Sequence, residues 1–472
     1  MSMRRQSKII WSFDSRLLTR DLAKEVVSAR VDALRLVYGR DYSHETLAFL
    51  EVFAATKLEK KDDFKPSIIL DLSEGPRASI KDLAEPRELN FGDKVTLSLA
   101  GKTDFMINAR YWDGLFQKDA FVFVGYGHAV LKTLTVNKEQ ATCEVIQGGT
   151  VFPTSEIHIP ETRLKPTLKD LDPERLKKIL NLGIDYIVLP GLHEVSEVNE
   201  LRAMLATLIQ NVPWLILRID SKNTYDRARD LMDGAEGIFI SRREMALTLD
   251  PAAVTIFTKE LTQLANDRAK LVFTASEMLG SMRRQPTPTR AEVSDIANAI
   301  SDGTDALVVS EEVTHGPFGT RAIDVINKII FDTEQRSDMS LNWVKLTPRI
   351  ETEMDAVAYG AYTTAERINA KAIVCITISG NTALRLASFR TPIPIIAVTF
   401  SEIVNRRMNL VRGVTGLVLE TSPAMDDVLP IVNERLLRYS WLKPGDKIVF
   451  VSITLSSLGR EGSNLFTIQL LT

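Results

Sequence analysis

The chain has 472 residues, 45% hydrophobic and 25% charged, with a formal net charge of −3. That balance excludes a disordered or fibrous protein, and the small net charge gives no global pull toward nucleic acid or an anionic membrane. Single cores stop growing at roughly 250–300 residues, so more than one domain is expected.

At the start, Arg4, Arg5 and Lys8 precede an apolar stretch that soon meets Asp14 and Arg16. It is too short for a secretory segment, and no stretch approaches the roughly 20 apolar residues of a membrane span. The sequence reads as cytoplasmic, with neither nucleic acid nor membrane as a partner. Short apolar runs then recur with helix-like segments between them: Ile9–Trp11, Ala33–Tyr38, Ile68–Asp71, Tyr186–Leu189, Leu215–Leu217, Gly237–Ile240, Leu271–Thr274 and Ala306–Val309. Runs rich in Val, Ile and Leu with little polar alternation suit parallel strands buried on both faces. About eight such units in series point to a (β/α)₈ barrel, with a doubly wound open sheet as the structural alternative.

The rhythm breaks between Asp71 and about Glu161, where alternation such as Val95–Leu99 and Phe121–Val124 is punctuated by turns at Asn90–Asp93 and Gly148–Gly149. This is a small all-β insertion after the third barrel strand. Hung from a βα loop, it lies over the catalytic face and can act as a lid. Beyond about Asp332 the pattern restarts, with an amphipathic helix over Thr352–Ile368 and strands at Ala372–Thr377, Pro394–Val398, Gly416–Leu419 and Lys447–Ser452. The expected domains are 1–76 and 161–332 for the barrel, 77–160 for the lid and 333–472 for a separate α/β unit. Cys143 and Cys375 are the only two cysteines; each lies in an apolar run and reads as a buried thiol rather than a disulfide or zinc ligand.

The polar residues at the C-terminal strand ends are Arg35, Tyr38, Asp71, Arg218, Asp220, Arg242, Glu244, Ser276, Glu277, Ser310 and Glu312. Structural ion pairs also close barrel mouths, so one Asp or Arg alone carries little, but the set together points to chemistry. Asp220 and Glu244 come from adjacent units, and two hard carboxylates can hold Mg²⁺ while phosphate and water complete its octahedron. Arginine supplies forked donors for phosphate or carboxylate. The combination suits phosphoryl transfer.

Thr274–Met282, Pro288–Ala299 and Asp302–Asp305, read as TASEMLGSM, PTRAEVSDIANA and DGTD, closely resemble pyruvate kinase. The order barrel, insertion, barrel, then an α/β domain carrying Thr377–Thr382 extends the likeness over essentially the whole chain. The resemblance implies a (β/α)₈ TIM barrel with an inserted small β-barrel lid domain and a C-terminal α/β regulatory domain. It implies transfer of phosphate from phosphoenolpyruvate to ADP, giving pyruvate and ATP, with Mg²⁺ or Mn²⁺ and a homotetrameric assembly. By position, Asp220 and Glu244 become metal ligands, Ser276 stands near the proton delivered to enolpyruvate, Arg35 holds the phosphate, and Asp71 and Arg77 line the substrate and nucleotide site. Thr377, Ser379, Gly380, Asn381 and Thr382 match the turn that takes phosphorylated effectors, facing Gly459–Asn464.

Several positions depart from the family's pattern. Asp220 and Glu244 stand where the family has Glu and Asp, and Arg218 stands where it has the lysine that stabilises the phosphoryl group in flight. Arginine keeps the charge but places it on a planar fork. Arg35–Arg40 lacks two oxygen ligands for K⁺, and Arg77 can supply a fixed cation instead, so K⁺ is not expected to be required. Val124–Gly127 lacks the family's lid aspartate. Two other readings stay open: a catalytically weakened homologue kept for ligand sensing or assembly, and a barrel lyase acting on a phosphorylated or keto acid.

Overall fold

The computed structural model describes residues 5–13, 31–37, 66–72, 78–101, 103–109, 112–125, 127–153, 155–160, 173–189, 192, 194–275, 278–314, 316–336, 350–419, 425–452 and 465–472. Eight parallel strands close into a barrel: Lys8–Phe13, Ala33–Val37, Ser67–Asp71, Tyr186–Leu189, Trp214–Ile219, Gly237–Ser241, Leu271–Ala275 and Ala306–Val309. The closure excludes the open-sheet alternative. Each apolar run serves two cores at once, because side chains alternate across a strand. Ile9, Trp11, Leu34, Leu70, Leu217, Ile238 and Ile240 face the surrounding helices. Ile10, Ala33, Ile69, Tyr186, Ile216, Phe239 and Phe273 fill the interior, in a cluster continuous with the core of the C-terminal unit.

Glycine is required at Gly237. A Cβ there would lie 2.7 Å from both the Leu271 Cβ and the Leu271 carbonyl oxygen, so any side chain would push the fifth, sixth and seventh strands apart. The helix Arg290–Asp302 is set at its start by a capping box between Thr289 and Glu292.

The insertion between the third and fourth strands is itself a closed barrel of seven strands, with its own core around Val95, Val122, Leu131, Cys143 and Val145. The C-terminal unit is a five-stranded sheet. Its four parallel strands are Ala372–Ile376, Ile395–Thr399, Val414–Val418 and Lys447–Ser452, and Leu465–Leu470 adds an antiparallel edge. The predicted helix runs Glu353–Arg367, capped by Thr352. The predicted strand at Gly416–Leu419 begins two residues earlier, at Val414.

The barrel floor has a repeated device. The residue just before each even-numbered strand is an acid that accepts the backbone N–H of the second residue of the preceding strand: Asp32 from Ile9 at 2.7 Å, Asp185 from Ile68 at 3.0 Å, Glu236 from Leu215 at 2.6 Å and Asp305 from Val272 at 3.0 Å. Each also carries an arginine: Arg5, Arg406, Arg202 and Arg390 respectively. Arg406 and Arg390 come from the C-terminal unit, so these buried ion pairs dock it to the floor. The mouth at the opposite end is left to the lid.

Candidate active site

Period-two counting places the site. Two residues beyond the inward Ile10, Ala33, Ile69, Ile216 and Phe239 lie Ser12, Arg35, Asp71, Arg218 and Ser241, each the next inward position of its own strand toward the mouth. Asp71 is fully buried at its centre. The Arg35 Nε donates to Asp71 Oδ2 at 2.7 Å, Nη2 lies 2.5 Å from the same oxygen, and Nη1 donates to Ser12 Oγ at 3.1 Å. Arg218, only 5% exposed, reaches Asp71 at 3.6 Å, Asp220 at 3.5 Å and Glu244 at 3.0 Å through three different nitrogens. Both guanidiniums lie over the Phe239 ring, 5.2 Å and 5.5 Å from its centroid, where the aromatic face favours cations.

The two outer carboxylates come from the turns after the fifth and sixth strands. Asp220 sits just before Ser221, which caps the helix Lys222–Leu231, and its Oδ1 accepts a long hydrogen bond from the Thr224 hydroxyl at 3.4 Å. Burial pushes the Asp220 carboxyl above its ordinary range; Arg218 opposes this and Glu244 adds to it. Glu244 lies on the single-turn helix Arg242–Met245, and its Oε2 accepts from Ser241 Oγ at 2.5 Å. Among the described residues, three carboxylates thus face two guanidiniums, one negative charge in excess.

That donor set fits a divalent cation. Asp220 and Glu244 keep 28% and 16% of their side chains exposed, so incoming oxygens from water and phosphate can complete a hard-ion shell. Among the described residues no group of three or more His, Cys, Asp or Glu forms a closed metal cage. The fit is therefore to an open two-carboxylate site shared with Arg218.

Arg35, Asp71, Arg218, Asp220 and Glu244 are brought together as the sequence suggests. Ser276, Arg77, Tyr38, Gly39 and the segment 459–464 lie outside the described residues. Among the described residues, Arg242 pairs away from the cluster around Asp71. It has outward parity, and it forms a bidentate pair with Asp295 at 2.7 Å and 2.7 Å while its Nε donates to the Ala275 carbonyl. Its role is to tie the sixth strand to the helix behind the seventh. Ser12, Phe239 and Ser241 were not singled out by sequence, although Phe239 already lies on the inward count and one further step along it finds Ser12 and Ser241. On the lid, a Cβ built on Gly127 would lie 4.0 Å from Leu247, so this turn reaches the segment that carries Glu244.

In the C-terminal unit, Thr377 and Thr382 are buried while Ser379 and Asn381 are exposed. The Thr377 hydroxyl accepts the Gly380 N–H at 2.9 Å, and Ser379 Oγ is 3.5 Å from the Asn381 nitrogen. The helix then runs Asn381–Ser388, its cap Gly380 at φ +97° with no side-chain cap. This turn packs against Trp214, the first residue of the strand that carries Arg218.

The model for the pyruvate kinase barrel domain matches residues 4–323, and that for the pyruvate kinase alpha/beta domain matches residues 355–468. The chain is 27% identical over 460 residues to pyruvate kinase of Mycobacterium tuberculosis, covering 95% of each chain. It is 26% identical over 476 residues to that of Clostridium perfringens, covering 98% and 99%. A crystal structure of a pyruvate kinase from Cryptosporidium parvum superposes with a TM-score of 0.83 at 23% identity, covering 99% of this chain and 96% of that one.

Proposed function

This chain belongs to the pyruvate kinase family, and from that premise we propose that it transfers the phosphoryl group of phosphoenolpyruvate to ADP, giving pyruvate and ATP. The observation that carries the reading is the convergence of Arg35 and Arg218 on Asp71, with Asp220 and Glu244 at the rim. Two preorganised cations meet where the dianionic phosphate of the substrate must enter, and fixed charges aimed at a transferring phosphoryl group lower its barrier.

Arg35, held on two sides by Asp71 and Ser12, grips the phosphate of the incoming substrate. Arg218 spreads its charge over the equatorial oxygens as the enol P–O bond breaks and the bond to the terminal ADP oxygen forms. Asp71 accepts from the Arg35 guanidinium, fixing its plane, and pairs electrostatically with Arg218 at 3.6 Å. To Ser276, by its place in the family's motif, falls the hydroxyl near the proton delivered to the enolate carbon. Asp220 and Glu244 hold Mg²⁺ or Mn²⁺, which when bound neutralises phosphate charge and polarises the transferring group. Arg77 supplies the fixed cation that removes the need for K⁺. The lid excludes water from the mouth.

A phosphorylated effector at Thr377–Thr382, a homotetramer and a cytoplasmic location complete the proposal. No helix among the described residues is long and apolar enough to cross a membrane. A second reading, a weakened homologue retained for ligand sensing or assembly, is favoured by one observation: Arg218 is already engaged by three carboxylates. Steady-state kinetics of Arg218 variants separate the two. Arg218→Met lowers kcat by at least about 10²-fold, as for a lost electrostatic donor, and Arg218→Lys keeps or raises it. Absence of phosphoryl transfer in every form supports the non-catalytic reading instead.

A further inference from the structure

The fifth strand and the single-turn helix after the sixth bring one guanidinium within reach of three carboxylates. Its Nε faces Asp220 at 3.5 Å, one terminal nitrogen faces Glu244 at 3.0 Å, and the other faces Asp71 at 3.6 Å. Asp220 and Glu244 are also the carboxylates proposed to hold the divalent ion, and the inference rests on that reading. We propose that Arg218 is an internal counter-ion that spans the metal-binding carboxylates until a phosphorylated substrate draws it away, so that divalent ion and substrate bind as a coupled pair.

The argument is one of shape as well as charge. A guanidinium presents donors along three edges of a plane and can satisfy Asp220 and Glu244 together, whereas an ammonium is a point charge on a flexible stem. Arg218 is 5% exposed and held over the Phe239 ring, so its position is set by packing as well as by its partners. A divalent ion approaching the same two carboxylates meets a delocalised positive charge already between them. It must share or displace at least one of those contacts. A phosphate entering beside Arg35 reverses the balance, because its oxygens accept the fork in bidentate fashion. As the fork turns to phosphate, the charge of Asp220 and Glu244 becomes available to the metal. Such coupling is reciprocal: substrate tightens the ion by the factor by which the ion tightens substrate.

The test is Mn²⁺ binding, read from the electron paramagnetic resonance of the free ion, with phosphoenolpyruvate present or absent and ADP omitted to prevent turnover. Phosphoenolpyruvate is expected to tighten Mn²⁺ in the unaltered protein by at least about tenfold, the scale of one charged hydrogen bond. Arg218→Met and Arg218→Gln bind Mn²⁺ at least about tenfold more tightly without substrate, with the coupling reduced by the same factor. A cooperative melt shows that each variant is folded, and Gln serves if Met is not. Arg218→Lys keeps the charge but cannot span both carboxylates, so it falls between. Lysine matching the unaltered protein, or Met and Gln binding no more tightly, overturns the clasp. Glu244→Gln separates the layers. Equal affinities across the Arg218 series, all lost with Glu244→Gln, overturn the clasp alone; Mn²⁺ binding untouched by Glu244→Gln overturns the metal assignment beneath it.

Discussion

Glu292 offers a quantitative test of how the most family-like stretch of the chain works. Its carboxylate accepts four hydrogen bonds: from the Ser281 N–H at 2.7 Å, the Ser281 hydroxyl at 2.6 Å, the Thr289 N–H at 2.7 Å and the Thr289 hydroxyl at 2.9 Å. It therefore closes the cap of the helix Arg290–Asp302 and holds the turn Gly280–Arg283 that follows the seventh strand. Partial burial pushes the carboxyl up, but the bonds from Ser281 and Thr289 outweigh it and hold the group below its ordinary range. Losing the cap costs about 1 kcal/mol, and losing the tie to Ser281 costs a similar amount, lessened by partial exposure. Glu292→Ala should therefore destabilise the protein by about 1.5–2 kcal/mol, measured by urea denaturation at pH 7. Because the folded carboxyl is depressed, its stabilisation is complete above the unfolded carboxylate range and disappears as pH falls through the folded value. Glu292→Gln should be less stable than the unaltered protein at pH 7, with the gap narrowing below about pH 4. A loss under about 0.5 kcal/mol for the alanine variant, within the spread of surface changes, or a gap that widens in acid, refutes the reasoning.

Arg390 binds Asp305 through two contacts of 2.8 Å across the barrel floor. Arg390→Met should cost about 2–4 kcal/mol, near the lower end for a broken buried pair because Asp305 keeps the N–H donors of Val272 and Arg412; a double-mutant cycle with Asp305→Asn should show strong coupling, and additivity would count against it. At Gly380, φ is +97° and an added Cβ would lie 2.6 Å from Met408 Cε and 2.9 Å from Trp214 Cη2. Gly380→Ala should destabilise by about 2–4 kcal/mol from strain and overpacking and alter tryptophan emission, whereas an unchanged melt would mean that the turn is not packed there. If the Thr377–Thr382 turn takes a phosphorylated effector, a panel of sugar phosphates and nucleotides will raise the melting temperature, and Ser379→Glu will remove the shift. No shift in the unaltered protein leaves the turn as a structural cap.

The eight barrel strands were legible because a strand buried on both faces is written as an unbroken apolar run, as in Leu215–Leu217. The insertion was legible only as a class. Its strands at Arg87–Leu89 and Glu156–His158 have three residues each, too few for alternation to fix a boundary, and its closure depends on pairings distant in sequence. The edge strand Leu465–Leu470 escaped notice because Ile468 and Leu470 are apolar yet exposed, which blurs the alternation that marks a half-buried strand. At the mouth, residue type and strand-end position found Arg35, Asp71, Arg218, Asp220 and Glu244. Partnership was not legible: Asp71 and Arg218 meet across the interior from non-adjacent strands, 147 positions apart in the chain. Parity accounts for Arg242, which sits at a strand end but one residue out of the inward register.

The central claim is tested most directly by incubating the unaltered protein with phosphoenolpyruvate, ADP and Mg²⁺, following pyruvate by coupled reduction and ATP independently, first without K⁺ and then with K⁺ at constant ionic strength. The account predicts equal amounts of pyruvate and ATP, lost when Mg²⁺ is withheld, at a rate that K⁺ does not raise. Pyruvate without ATP, or neither product, would contradict phosphoryl transfer, and strong activation by K⁺ would contradict a fixed cation at Arg77.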